Sequence, residues 1–167
     1  MKNWFLGLAF LSVATISCSK SDKNCGYTDV NASASASEIT TLQNYITANS
    51  ISATQHSSGL FYTIDEAGTG NTASVCSNIT VNYTGTLISS GTVFDSNTST
   101  SGINFVLGQL IVGWQKGLPL IKAGGKITLY VPPSLGYGAF DKTDGNGNVV
   151  IPGNSYLKFS ISLLYVQ

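Results

Sequence analysis

The segment from Leu110 to Trp114 holds the side chains best suited to bind an apolar ligand. From this segment onward, apolar residues are spaced as on one face of a helix, at Ile111, Trp114, Leu118 and Ile121. Pro119 removes a backbone donor and disfavours helical geometry at the residue before it, so we expect a helix of about two turns. Enclosed by strands, that helix would present the Trp114 indole as a pocket floor, although a lone tryptophan is more often an ordinary core residue.

Acid–base and metal chemistry have little support in the sequence. His56, the single histidine, lies in a polar stretch without an acid or nucleophile beside it, and we expect it on the solvated surface. Residues 144–148 begin like a calcium loop, but Val149 and Ser155 stand where that loop needs glycine and glutamate, so we predict a hairpin turn. No cluster of histidine, cysteine and carboxylate residues has metal-ligand spacing, and we expect no cofactor.

Composition excludes one class of partner. The chain has 167 residues, of which 43% are hydrophobic and only 10% are charged, and its eight basic residues are all lysine. Eight acidic residues balance them, and no basic cluster exists to neutralise phosphates. We therefore expect one domain that does not bind nucleic acid.

The first 18 residues have the pattern of a signal peptide. Lys2 supplies a positive start, and residues 4–16 form a mostly apolar run that is too short to span a bilayer. The end of this run resembles the lipobox of bacterial lipoproteins, which implies that Cys18 is lipidated and anchors the protein to a membrane of the cell envelope. Ser19, which is not acidic, favours the outer membrane by analogy. Ordinary secretion with cleavage nearby is the alternative.

A lipidated Cys18 leaves two cysteines, Cys25 and Cys76. In an oxidising compartment they are candidates for a disulfide that holds the N-terminal tail against the domain. The chain-entropy estimate for such a loop is about 3–4 kcal/mol. Two free thiols are the alternative, and a mass increase of two hydrogens on reduction distinguishes them.

Residue periodicity divides the rest of the chain into a tether, a helix and a sheet. Residues 19–36 are rich in serine, alanine and asparagine and are predicted to be a tether. Ser35 and Glu38 have the spacing of a capping box, so a helix should follow as far as about residue 48. Six strands are expected, at residues 60–64, 78–87, 92–96, 103–107, 126–131 and 156–166.

These elements predict an α+β fold, in which a curved antiparallel β-sheet wraps around one short helix. The predicted divisions are a lipoprotein signal peptide (1–18), the tether (19–36), an N-terminal helical extension with the first strand (37–70) and the main domain (71–167). A long loop should cover residues 134–153, because Pro132 and Pro133 end the strand before it.

Motifs in the main domain occur in an order typical of one family. They are Val81-x-Tyr83-Thr84-Gly85, Val93-Phe94-Asp95-Ser96, Phe105-x-Leu107-Gly108, Leu110-Ile111-x-Gly113-Trp114, Tyr137-Gly138 and Ile151-Pro152, followed by Phe159. Over about residues 71–167 the chain resembles the FKBP-type peptidyl-prolyl cis-trans isomerases, the immunophilins that bind the macrolide tacrolimus. The resemblance implies the same fold, proline-containing polypeptides as substrates and inhibition by macrolides of the tacrolimus type.

The resemblance also implies which residues form the site. The catalytic positions would be Tyr83, Phe94, Asp95, Trp114, Tyr137 and Phe159, and the substrate-binding positions Leu110, Ile111, Ile103 and Ile151. Trp114 would be the floor for the prolyl ring, and the Tyr137 hydroxyl and Ile111 backbone would hydrogen-bond the ligand. Ile103 stands where the family usually has an aromatic residue, and the 140–150 loop is longer, so the rim should differ.

An apolar aromatic pocket suits rotation about an X-Pro bond. The barrier of about 18–20 kcal/mol comes from amide resonance, and the two isomers differ by only about 0.5–1 kcal/mol. The twisted amide has less charge on its oxygen, so an apolar site favours it over the planar state, and each preference of about 1.4 kcal/mol gives a tenfold rate increase. Isomerisation in exported proteins is therefore expected. The rivals are a non-catalytic proline-peptide-binding module or chaperone, and a surface lipoprotein that holds a partner with the 134–153 loop.

Overall fold

The computed structural model describes residues 25–167. The predicted signal peptide and the predicted lipidation site Cys18 lie outside the described residues. Among residues 25–167, no helix has both the length and the apolar character needed to cross a membrane.

Two helices and nine strands form the described part of the chain. The helices are α1 (Ala36–Ala48) and α2 (Val112–Gly117). The strands are β1 (Thr54–Gln55), β2 (Phe61–Glu66), β3 (Asn78–Leu87), β4 (Val93–Asn97), β5 (Ile103–Val106), β6 (Gly125–Val131), β7 (Lys142–Thr143), β8 (Val149–Ile151) and β9 (Leu157–Val166). Short 3-10 turns cover Leu107–Gln109, Leu118–Leu120 and Pro133–Leu135.

The main sheet is antiparallel throughout and runs in the order β1-β2-β6-β9-β3-β4, with β5 also paired to β3. Its central strands β3 and β9 each have ten residues. In β3 the buried residues alternate with more exposed ones, and Ile79 and Val81 are completely buried. This period of two directs one face of the strand toward the core. The predicted α+β fold is confirmed.

Two apolar clusters cover opposite faces of the sheet. The larger one packs Trp114 and Leu118 from the short helical segment against β3, β6 and β9. The smaller one joins Leu42 and Ile46 of α1 to Phe61 and Tyr130. Strand β6 therefore has buried residues facing both ways, and all of its residues except Lys126 are buried.

Helix α1 begins as predicted. The Ser35 hydroxyl accepts the Glu38 N–H, and the Glu38 carboxylate accepts the Ser35 N–H at 2.8 Å, which confirms the capping box. Glu38 also accepts hydrogen bonds from the Ser134 N–H at 2.8 Å and the Ser134 hydroxyl at 3.0 Å. The cap thus ties α1 to the turn that precedes Tyr137.

The described part of the predicted tether packs on the domain. Ala32 and Ala34 lie against the larger cluster, and the Ala34 N–H donates to the Ser58 carbonyl at 2.8 Å. A disulfide joins Cys25 to Cys76, with 5.6 Å between their Cα atoms. Small, polar residues suggested a free chain, but small side chains also allow close packing on a folded surface.

The structure adds detail to the predictions for two loops. His56 lies at the surface but is only partly exposed, and its Nδ1 accepts the Ser58 N–H at 3.1 Å within a turn. The predicted 134–153 loop contains the β7–β8 hairpin. Its turn is the one predicted at 144–148, where Asp144 accepts the Asn146 and Asn148 N–H groups at 2.9 Å.

Candidate active site

An open cavity of about 300 Å³ lies between the short helix α2 and the sheet. Its lining residues are Tyr83, Asp95, Ile103, Phe105, Leu110, Ile111, Trp114, Tyr137 and Phe159. Three of these come from α2 and the two residues before it, and the others from β3, β4, β5, β9 and the turn after β6. No one element forms the site, so it exists only when the sheet has closed on the helix.

Trp114 is the base of this cavity. This residue is 4% exposed. The planes of three neighbouring aromatic rings are nearly perpendicular to the plane of the indole. The ring centroids lie 5.3 Å away for Tyr83, 5.4 Å for Phe159 and 6.4 Å for Phe105, at interplanar angles of 82°, 88° and 88°. Edge-to-face packing of this kind is the favoured geometry for aromatic rings, and it fixes the walls around the indole.

A polar pair lies at the rim of the cavity. The Tyr83 hydroxyl donates to Asp95 Oδ2 at 2.6 Å, across the antiparallel β3–β4 pair. Burial, the hydrogen bond to Asp95 and the negative charge of that carboxylate raise the pKa of Tyr83. Burial and the Asp95 charge also raise the pKa of Tyr137, which stays protonated as a hydrogen-bond donor at neutral pH.

The wall formed by Leu110 and Ile111 is held from behind by Gln115. This side chain is 6% exposed, and its Nε2 donates to the Leu110 carbonyl at 2.7 Å and to the Gly108 carbonyl at 3.3 Å. The N–H of Ile111, which precedes the first helical residue, has no acceptor within α2. It has no backbone acceptor among residues 25–167, and Ile111 itself lines the cavity.

Two predicted site residues are not among the residues that line the cavity. Phe94 packs on Phe159 with ring centroids 5.6 Å apart and an interplanar angle of 87°. Ile151 is 6% exposed and belongs to the larger apolar cluster. The structure brings the other eight predicted pocket residues together on the lining.

Phe105 is the lining residue that the sequence analysis did not assign to the site. It alternates with Ile103 and so points to the same side of β5. Period two along β5 was the signal that could have identified it. Phe105 supplies an aromatic wall beside Ile103.

Gly85 lets two of the rings approach the sheet. A Cβ atom at this position would lie 2.6 Å from Phe94 Cζ and 3.0 Å from Phe159 Cε1. The absence of a side chain therefore allows Phe159 to stand on β3 while its other side contacts the Trp114 indole. This close approach explains the glycine in the Val81-to-Gly85 motif.

A larger cavity of about 490 Å³ lies elsewhere, between α1 and residues 152–156. Its lining has two tyrosines, Tyr45 and Tyr156, but no ring floor and no carboxylate. Of these two cavities, the one at Trp114 combines convergent rings with a polar pair. Among residues 25–167, no group of three or more histidine, cysteine, aspartate or glutamate side chains could hold a metal ion.

Comparison with known proteins places the chain in a family. Residues 70–164 match the profile of the family described as FKBP-type peptidyl-prolyl cis-trans isomerase. The chain is 46% identical over 113 residues to the FKBP-type peptidyl-prolyl cis-trans isomerase FkpA of Buchnera aphidicola subsp. Schizaphis graminum, covering 66% of this chain and 42% of that protein.

Solved structures give the same result. The crystal structure of FkpA from Escherichia coli is 37% identical with a TM-score of 0.65, covering 78% of this chain and 59% of that one. The crystal structure of a peptidyl-prolyl cis-trans isomerase from Pseudomonas syringae is 26% identical with a TM-score of 0.64, covering 78% of this chain and 94% of that one.

The fold and the ring-floored cavity define a domain of the immunophilin type. The chain belongs to the FKBP-type peptidyl-prolyl cis-trans isomerase family. It spans less than half the length of the curated relatives it matches.

Proposed function

We propose that this protein catalyses cis–trans isomerisation of X-Pro bonds in polypeptides. The observation that carries the proposal is the Trp114 floor with its three perpendicular rings, because this cavity offers a prolyl ring an apolar seat of fitting size. Family membership over residues 70–164 supports the same activity.

The chemistry needs no covalent bond between protein and substrate. A prolyl ring on the Trp114 face would leave its preceding carbonyl in an apolar environment, which disfavours the polar planar amide more than the twisted one. The Ile111 N–H and the Tyr137 hydroxyl can donate to substrate carbonyls and hold the chain on one side while the other side rotates. Asp95, held by the Tyr83 hydroxyl at 2.6 Å, places negative charge at the rim without acting as an acid or base.

A protease-coupled proline-peptide assay tests the activity. The full chain should accelerate isomerisation at micromolar concentration, and tacrolimus should inhibit it by occupying the same cavity. Binding of tacrolimus without acceleration would instead favour the non-catalytic binding module, for which Ile103 in the aromatic wall is the supporting observation. Absence of both would reject a proline-binding role for this cavity.

We also propose that the protein is a lipoprotein of the cell envelope, anchored through Cys18 and acting on exported polypeptides. The apolar run at residues 4–16 followed by Cys18 and polar residues supports this proposal. Labelling with a radioactive fatty acid should mark the wild-type chain but not the Cys18→Ser variant. Equal labelling of the two chains, or none of either, would reject the lipid anchor.

A further inference from the structure

The cavity wall that carries Leu110 and Ile111 has little secondary structure of its own. It consists of the 3-10 turn Leu107–Gln109 and the six-residue helix α2. Isolated helices shorter than about 12–15 residues are marginal in water, so this wall depends on contacts from outside. The hydrogen bond from Gln115 to the Leu110 carbonyl is one contact within the wall. Further stabilising contacts must come from neighbouring segments of the chain.

The segment 25–34, which we call the strap, contacts this wall through two residues, Tyr27 and Asp29. The Tyr27 ring lies directly on Gly108, where an added Cβ would come within 2.6 Å of the ring, and the Tyr27 hydroxyl accepts the Gln109 Nε2–H at 2.6 Å. Asp29 Oδ1 accepts from Lys116 Nζ at 2.7 Å, and the Lys116 side chain is only 16% exposed. One contact holds the start of the wall and the other its end.

Both ends of the strap are fixed to the domain. The Cys25–Cys76 disulfide holds its first residue. Next to Cys76, the Val75 carbonyl accepts the Gly108 N–H at 2.8 Å, and the Ser77 carbonyl accepts the Leu107 N–H at 3.0 Å. Strap and wall are thus attached to the same short stretch, and the Ala34 bond to Ser58 holds the other end of the strap.

We infer that the strap positions the substrate-binding wall, with Tyr27 and Asp29 as positioning residues that do not touch the substrate. The inference rests on the proposed isomerase site for its kinetic consequence. Loss of either contact leaves Leu107–Gln109 and α2 in a wider range of conformations, so a smaller fraction of molecules has a closed cavity. The apparent substrate affinity falls in proportion to the fraction of molecules with a closed cavity, so KM rises more than kcat falls.

Steady-state kinetics and hydrogen exchange on the full chain test the inference. Tyr27→Ala should raise KM about threefold to tenfold and speed amide exchange within residues 107–117. Tyr27→Phe keeps the ring on Gly108 and should recover most of the wild-type KM. Asp29→Asn should act in the same direction as Tyr27→Ala but less strongly, because the ion pair is partly exposed.

Matched controls separate positioning from general destabilisation. Glu66→Gln breaks the comparable Lys126–Glu66 ion pair of 2.6 Å on the sheet and should change neither KM nor exchange in residues 107–117. Tyr165→Phe is the control for the tyrosine substitutions and should also change neither KM nor exchange in residues 107–117. Tyr165 is 65% exposed and lies near the end of β9.

The outcomes decide the inference independently of the proposed function. Wild-type exchange in residues 107–117 of Tyr27→Ala would overturn it, whatever the activity. If the wild-type chain shows no isomerisation, the proposed function fails, but faster exchange confined to that segment would still support the strap. Equal acceleration of exchange across the whole sheet would assign Tyr27 a general structural role and overturn positioning.

Discussion

Trp114 combines a packed ring with an indole N–H that has no hydrogen-bond partner among residues 25–167. A buried unpaired donor costs about 1–3 kcal/mol, so the indole is not the most stable choice for this position. Its broad face toward the cavity explains why a tryptophan can be useful there despite that cost. Stability and function therefore respond differently to substitutions of this residue.

We expect Trp114→Phe to lower kcat/KM about tenfold while costing only about 1–2 kcal/mol of stability, because removing the unpaired N–H offsets part of the lost packing. Trp114→Ala should cost about 3–5 kcal/mol and abolish tacrolimus binding. Peptide assays and urea unfolding measure the two effects. Unchanged kcat/KM in a folded Trp114→Phe variant would show that the indole is not the floor of the working site.

Tyr83 makes stability depend on alkaline pH. Its pKa in the folded protein lies above the ordinary value of 10.0, because burial and Asp95 favour the protonated phenol. Its contribution is therefore complete below about pH 10, and it is lost as the pH rises toward the folded-state pKa, since the unfolded chain releases the proton first. Tyr130 and Tyr137 also have raised pKa values and should add to the decline.

Tyr83→Phe should consequently show a shallower loss of unfolding free energy from about pH 9 to about pH 11 than the wild-type protein. Asp95→Asn should act in the same direction, because it removes the charge that opposes ionisation of the phenol. Urea unfolding at several pH values measures the slopes. Parallel curves for wild type and Tyr83→Phe would contradict the coupling.

At the scale of elements, the capping residue of α1 has a second role. Burial alone would raise the pKa of Glu38, but hydrogen bonds from Ser35 and Ser134 outweigh it and hold the pKa below the ordinary 4.5. The ionised carboxylate thus stabilises both the helix start and the turn before Tyr137. That contribution is present above the ordinary pKa and is lost as the pH falls through the lowered one.

Glu38→Ala should reduce the unfolding free energy by about 1–2 kcal/mol at neutral pH, because it removes the Glu38 half of the capping box and the bonds to Ser134. The difference from wild type should shrink in acid, where the wild-type carboxylate is protonated. Glu66→Ala, which breaks an exposed ion pair, is the control and should cost no more than about 1 kcal/mol. A Glu38→Ala effect no larger than this control would remove the proposed tie between α1 and the turn.

At the scale of the whole molecule, the strap and α1 lie on different sides of the same sheet. The strap contacts the α2 wall, while α1 packs on Phe61 and Tyr130. The N-terminal residues 25–48 therefore pack on both sides of the sheet as part of the folded domain. Their attachment at Cys25 closes a loop with a sequence separation of 51 to Cys76.

Reduction of the Cys25–Cys76 disulfide should lower the unfolding free energy by about 3–4 kcal/mol, because the bond restricts the unfolded chain. Denaturant unfolding with and without reductant measures this change. The Cys25→Ser, Cys76→Ser double variant should unfold like the reduced protein and should not respond to reductant. A reductant effect in that variant would show that the change has another cause.

The regular elements could be predicted from sequence because each follows from contacts between near neighbours. The Ser35–Glu38 capping box specified the start of α1, and strict alternation specified β3 with its observed bounds. The motif order was enough to assign the family. The side-chain types likewise indicated an apolar site with one carboxylate that binds its ligand without a covalent bond.

Only the tertiary structure decided which rings face the cavity and what supports them. Phe94 packs on Phe159 without lining the cavity, whereas Phe105 faces Trp114, and the space at Gly85 lets the Phe94 and Phe159 rings approach β3. The contact of Tyr27 with Gln109 spans 82 residues, and no local pattern marks either partner. Spacing along the chain determines elements, whereas packing between distant elements determines the shape of the site, because that shape depends on atoms that meet only after folding.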